Sequence, residues 1–198
     1  MFLMLPLLNK LQGIQGWFDF EEADLLICTV LKACVELPTP HNIVEIGSYH
    51  GKSTILLGSV VKSYFPSSKV YAIDPHEGIV GATDQGLQSL SPSLFMFNKN
   101  ISDAGLSQFI ELIKDCSFNV HWRKPITFLF IDGLHDYENV SRDFKHFEKY
   151  IISGGYIAFH DYVIYYPGVI TFVNELLNTD DYIKICHVKS LIVIQKKK

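Results

Sequence analysis

The stretch VEIGSYHGKST (44–54) decides the fold. It closes an apolar run, NIVEI, of strand length, and leads from Gly51 into a helix-forming stretch that runs to about Tyr64 and stops before Pro66. Strand, glycine turn and helix in that order open a parallel α/β sheet. Two phosphate-binding patterns fail on it. A P-loop needs four residues between its first glycine and Gly-Lys-Ser, whereas three separate Gly47 from Gly51-Lys52-Ser53. Lys52 therefore reads as a solvated residue of the first helical turn. The dinucleotide pattern G-x-G-x-x-G fails because Tyr49 stands at its second glycine. What remains is E-x-G-x-x-x-G, formed by Glu45, Gly47 and Gly51 with Ser48 inside the loop.

Outward from this loop the chain alternates strands and helices. Upstream, residues 19–37 set Leu25, Leu26, Val30 and Leu31 at helical spacing behind Asp19 and Glu21–Glu22, and Pro38 and Pro40 end that helix. Downstream, KVYAID (69–74) is a strand ended by Pro75, and residues 75–92 read as an irregular active-site segment rich in Gly, Ser and Pro. A helix follows at 93–104, then the strand QFIELIK (108–114) and the continuous apolar strand ITFLFID (126–132). Residues 136–151 place Val140, Phe144, Phe147 and Ile151 on one helical stripe. The strand GYIAFHD (155–161), a helix at 168–178 and a hairpin of YIKICHV with SLIVIQ close the chain.

Alternation of this kind implies a parallel sheet covered on both faces. Ligands then bind at the carboxyl ends of the strands, near the switch in strand order. Those ends are Glu45–Gly51, Asp74–His76, Asp132–Tyr137 and His160–Tyr162, all rich in Gly, Asp and His behind apolar strands.

Composition bounds the function classes. The 198 residues fit one domain: an N-terminal arm and lead-in helix over 1–40 and a core over 41–198. The formal charge is −4, and Arg123 and Arg142 are the sole arginines, which argues against a nucleic-acid partner. MFLMLPLL at the N-terminus is too short to span a bilayer and lacks a basic leader, so it reads as an arm that packs on the domain or on a partner chain. The cysteines, Cys28, Cys34, Cys116 and Cys186, form no CxxC pair and read as buried thiols of a cytoplasmic protein.

With VEIGSYHGKST (44–54), YAIDPHEG (71–78), FIDGLHDYENVSRDF (130–144), GGYIAFHDY (154–162) and the lead-in GWFDFEEADLL (16–26) in view, the chain resembles the class I S-adenosylmethionine-dependent methyltransferases. More narrowly it is similar to the small bacterial O-methyltransferase group that includes macrocin O-methyltransferase relatives, over roughly residues 13–195. The resemblance implies a Rossmann-like α/β fold, with a seven-stranded, mostly parallel sheet whose last strand is antiparallel. It implies S-adenosyl-L-methionine as cofactor. This ligand has a cationic sulfur, a zwitterionic end and no phosphate. Glu45 on the strand suits its ammonium group, Gly47 a close backbone approach, and Asp74 its ribose hydroxyls. The adenine falls beside Asp115–Ser117, with Ser117 or the Cys116 backbone bonded to it, and Trp17 is expected to lid the cofactor. His50 and His76 flank the pocket without a catalytic part.

Asp132 and Asp161 end neighbouring strands, and two such carboxylates repel unless a cation or a proton lies between them. Catechol-type relatives hold magnesium there with two Asp and an amide. This chain has Tyr162 at the amide position, which leaves Asp132, Asp161 and His160 as candidate ligands of Mg2+ or another divalent cation. Asp132 also counts among the cofactor-binding candidates. Where many relatives carry an acid, Leu134 stands, so His135 with Asp132 is the candidate catalytic pair, the imidazole taking the acceptor's proton. The expected acceptor is a small molecule or glycan. Its pocket must be built from loops, the arm or a second subunit, so a homodimer is one expected arrangement.

Overall fold

A computed structural model describes residue 9 and residues 11–198. The expected arm at residues 1–8 lies outside the described residues. A lead-in helix, α1 (Phe20–Glu36), starts on a reciprocal cap in which the Asp19 side chain accepts from the Glu22 backbone and Glu22 returns to the Asp19 N–H. Then come β1 (Asn42–Ile46), α2 (Lys52–Tyr64), β2 (Lys69–Ile73), β3 (Ile79–Ala82), β4 (Gly86–Ser89), α3 (Leu94–Asp103), β5 (Ile110–Ile113) and β6 (Ile126–Ile131). The chain closes with α4 (Tyr137–Phe147), β7 (Ile151–Phe159), α5 (Pro167–Leu177), β8 (Tyr182–Val188) and β9 (Leu191–Lys196).

Seven strands form one sheet in the order β5-β2-β1-β6-β7-β9-β8. The pairs among β5, β2, β1, β6 and β7 are parallel, and β9 runs antiparallel to both its neighbours. The last strand of the chain is thus the antiparallel one, as the resemblance implies. All six residues of β6 are buried, and they alternate between two cores. Phe128 and Phe130 pack with α1, α2 and α3 on one face, and Leu129 and Ile131 pack with α4 and α5 on the other. The strand order turns at β1, which lies between β2 and β6, so their carboxyl ends diverge there into a crevice.

Three local expectations are corrected. The segment 75–92 is not irregular throughout, because β3 and β4 pair as an antiparallel hairpin around Thr83–Gln85. The stripe read as one helix over 136–151 stops at Phe147. A short 3-10 turn intervenes, and Ile151 opens β7, keeping its side chain in the core either way. Of the four cysteines only Cys34 is buried. Cys28 is exposed, while Cys116 and Cys186 are half-buried. Among the described residues, no helix is long and apolar enough to cross a membrane.

Candidate active site

The crevice opens into a cavity of about 420 Å³. Its floor is the carboxyl edge of β2, β1, β6 and β7. Its walls come from the lead-in strap Gln15–Phe18, the β3–β4 hairpin and the start of α4. The strap is tied down by Lys52, whose Nζ donates to the Gly16 carbonyl at 3.1 Å, so Lys52 is a tether rather than a solvated lysine. Trp17 is 61% exposed, lines the cavity and packs on Tyr49 with ring centroids 5.3 Å apart.

At the glycine loop, Gly47 has φ +85, and a Cβ there would lie 2.0 Å from the Asp132 carbonyl oxygen, so no side chain fits. Ser48 is a buried residue of the cavity wall, and its Oγ has no hydrogen-bond partner among the described residues. Tyr49 adopts φ 44, a strained region for a bulky residue, and its N–H donates to Asp74 Oδ2 at 2.8 Å. Asp74 Oδ1 accepts from the His76 N–H at 2.6 Å. Each oxygen keeps a lone pair, and Asp74 lines the cavity.

Glu45 and Gly51 stand behind the wall rather than in it. Glu45 is fully buried and accepts from the Ser53 and Thr54 hydroxyls in the first turn of α2. Burial pushes its carboxyl up to about 8, although the two hydroxyls act in the opposite direction. The expectation that Glu45 meets the cofactor's ammonium is therefore corrected: the carboxyl anchors α2 to β1. Gly51 caps α2 with φ 83, and a Cβ there would press on Phe97 and Ile101 in the core.

The predicted adenine contacts are also rearranged. The Cys116 N–H donates to Asp115 Oδ1 at 2.7 Å, and the Ser117 hydroxyl donates to Asp143 Oδ1, so both expected donors are engaged within the protein. Cys116, Ser117 and Asp143 nonetheless all border the cavity. His50 borders it too, stacked on Tyr49, whereas His76 is buried away from it against Ser93.

At the opposite end, the strand ends of β6 and β7 bring acids and histidines together. His160 Nδ1 lies 3.0 Å from Asp132 Oδ1 and 3.1 Å from Asp161 Oδ2, and its Nε2 lies 3.4 Å from Glu22 Oε2. Burial alone would depress the His160 pKa, but Asp132, Asp161 and Glu22 lift it well above the ordinary value. The His160 ring thus bridges the two aspartates through one nitrogen. Burial raises the Asp132 pKa against the pull of His160, whereas hydrogen bonding and the charges of His160 and His135 overcome burial to lower that of Asp161. Burial opposes ionisation of Glu22 as well, yet bonds from His160, Ser190 and the Asp19 N–H bring it down to about 2.

His135 faces the cavity. Its Nδ1 lies 3.1 Å from Asp161 Oδ2 and its ring packs 4.6 Å from that of Tyr166. Asp161 holds φ 57, a left-handed conformation that aspartate tolerates. Asp132, His135 and Asp161 each offer one ligand atom within 4.8 Å of the others. His160, the third ligand expected from the sequence, contacts both aspartates, at 3.0 and 3.1 Å, and His135 stands beside them as a further candidate. Asp136 caps α4 and takes both the N–H and the hydroxyl of Thr83, which fastens the hairpin to the site.

This fold and crevice are those of a methyltransferase domain. The chain belongs to the methyltransferase-domain family, whose profile matches residues 44–162. It is 30% identical over 138 residues to uncharacterized protein R132 of Acanthamoeba polyphaga mimivirus, a match covering 68% of this chain and 58% of that protein. Among solved structures it is similar to the O-methyltransferase NovP, with a TM-score of 0.74 and 17% identity, over 89% of this chain and 79% of NovP. It is similar also to the O-methyltransferase from Bacillus cereus in complex with SAH, with a TM-score of 0.67 and 18% identity, over 99% of this chain and 88% of that one.

Proposed function

We propose that the chain transfers a methyl group from S-adenosylmethionine to a hydroxyl oxygen of a small molecule or sugar. The observation that carries this reading is one cavity running from Ser48 and Asp74 to the His135–Asp161 pair. The residues present fit the cofactor. Ser48 Oγ is a buried polar atom awaiting a partner, Gly47 presents bare backbone, and Asp74 has lone pairs for two ribose hydroxyls. When bound, the cofactor supplies an electrophilic methyl carbon, and its sulfonium ends as a neutral thioether.

His135 takes the proton of the acceptor hydroxyl. Asp161 beside Nδ1 favours the tautomer that carries its proton there, which leaves Nε2 as the base. Asp132 and Asp161 keep their places because His160, backed by Glu22 and Ser190, holds both. The strap and the hairpin limit water at the reacting end, and positioning supplies most of the acceleration.

A second reading is supported by the clustering of Asp132, His135 and Asp161. Two carboxylates and an imidazole suit a divalent cation, which would supply Lewis acidity that lowers the hydroxyl's pKa. His135 serves as base in the first reading and as ligand in the second. Methyl-labelled cofactor and a panel of phenols, sugars, amines and carbon acids test both. O-linked label that persists in EDTA supports the base reading, and label lost in EDTA but restored by Mn2+ or Mg2+ supports the metal. Label on nitrogen or carbon acceptors alone would overturn oxygen transfer.

A further inference from the structure

The wall around His135 is apolar. The His135 N–H donates to the Gly81 carbonyl at 3.0 Å, so the hairpin brings Val80 and Ile79 to this end of the cavity. Leu134 and Tyr166 line it too, and Gln88, paired with Val80 across the hairpin, supplies a neutral amide. The long cationic side chains that border the cavity are committed elsewhere: Lys52 to the Gly16 carbonyl, and Arg142 to Asn139 and the Phe118 ring. Asp132 and Asp161 make the same corner unfavourable for a carboxylate or phosphate on the acceptor. A free sugar would bring several hydroxyls that each need a partner, and this wall offers few.

Apolar surface then continues out of the cavity. The Tyr166 ring, 4.6 Å from that of His135, meets the Tyr165 ring edge-on with centroids 4.8 Å apart. Tyr165 follows Ile164 in the loop between β7 and α5, and these two are 70% and 92% exposed. The loop that presents them is held by hydrogen bonds. The Val163 N–H donates to the Asp161 carbonyl at 2.8 Å and the Tyr166 N–H to the Val163 carbonyl at 2.9 Å. Gln85 at the hairpin turn donates to the Tyr165 carbonyl at 2.7 Å, which ties the loop to the opposite wall. Single exposed apolar side chains are ordinary, but this pair is joined through Tyr166 to the reacting corner.

We propose that the acceptor is an uncharged alcohol or phenol carried on an apolar body, which lies outward from His135 along Tyr166, Tyr165 and Ile164. The hydroxyl reaches the His135–Asp161 pair, and the body covers the exposed side chains of the loop. Tyr165 and Ile164 are then specificity-determining residues: they touch the part of the acceptor that does not react. The inference rests on the methyltransferase reading and names the substrate class of that same site.

Calorimetry of the chain saturated with S-adenosylhomocysteine, titrated with para-cresol and with para-octylphenol, tests this without any turnover. The octyl form should bind at least about thirtyfold more tightly, since each methylene fully removed from water is worth up to about fourfold. Ile164→Ser and Tyr165→Ser, both at exposed positions, should each cut that octyl-to-methyl ratio about three- to tenfold. With methyl-labelled cofactor the same ratio in kcat/KM should follow. Equal affinity for the two phenols, a ratio unchanged in both variants, or glucose labelled in preference to either phenol overturns the proposal. So does a wild-type dimer, seen by sedimentation, that Ile164→Ser dissociates, because the loop then belongs to a second copy. If the wild-type chain does not bind S-adenosylhomocysteine, the methyltransferase reading itself fails.

Discussion

Gly47 and Asp132 touch so closely that a Cβ on the glycine would fall 2.0 Å from the aspartate's carbonyl oxygen. The contact joins the ends of β1 and β6 at the switch in strand order, and the Asp132 N–H donates to the Ile46 carbonyl at 2.8 Å in the same place. The bare backbone of the loop and the backbone of Asp132 are thus packed directly against each other. Gly47→Ala should cost about 2–4 kcal/mol of stability, because neither backbone can yield and φ is positive. Gly86→Ala is the control. Gly86 also has positive φ, at 98, but its Cβ would meet nothing within 4 Å, so about 1 kcal/mol is expected. Urea denaturation of both variants measures the difference.

Glu45 makes a pH prediction. Its carboxyl has an ordinary pKa of 4.5 and is pushed up to about 8 in the fold. A raised pKa means that the folded state holds the proton more tightly. The stabilisation is full below about pH 4.5 and is lost as pH rises through 8. Glu45→Gln cannot ionise and keeps a hydrogen-bonding group between Ser53 and Thr54. It should match the wild-type chain near pH 5 and be more stable by about 1–3 kcal/mol at pH 9, read by denaturation at both pH values.

Ser48→Ala removes a buried hydroxyl that has no partner among the described residues. Stability should hold or rise slightly, while affinity for S-adenosylhomocysteine should fall about three- to tenfold. Thermal melting with and without ligand separates the two effects.

His135→Ala should lower kcat by about 10²–10⁴-fold and leave S-adenosylhomocysteine affinity within about twofold, since the imidazole acts at the acceptor end. Steady-state kinetics with any acceptor that takes the label, beside a binding isotherm, provides both numbers.

The sheet was legible in the sequence because apolar strands alternate with amphipathic helices and end in Gly, Asp and His. Local competition hid the rest. Glu45 looks like a ligand in the motif, but Ser53 and Thr54 in the first turn of α2 satisfy it first. His135 reaches Asp161 from a loop tied to Gly81, whose carbonyl accepts the His135 N–H at 3.0 Å, and neither contact has a sequence mark. The β3–β4 hairpin carried a usable signal in Asp84-Gln85-Gly86 between short apolar runs. Asp143 carried one too: it interrupts the Val140, Phe144, Phe147 stripe at helical spacing, and an acid on a buried stripe needs a partner.

Every step proposed above requires this crevice to bind S-adenosylmethionine. Calorimetric titration of the wild-type chain with S-adenosylhomocysteine tests it most directly, with Asp74→Ala as the comparison. Saturable one-to-one binding that weakens at least tenfold in the variant is expected. No binding by the wild-type chain at millimolar ligand would contradict it.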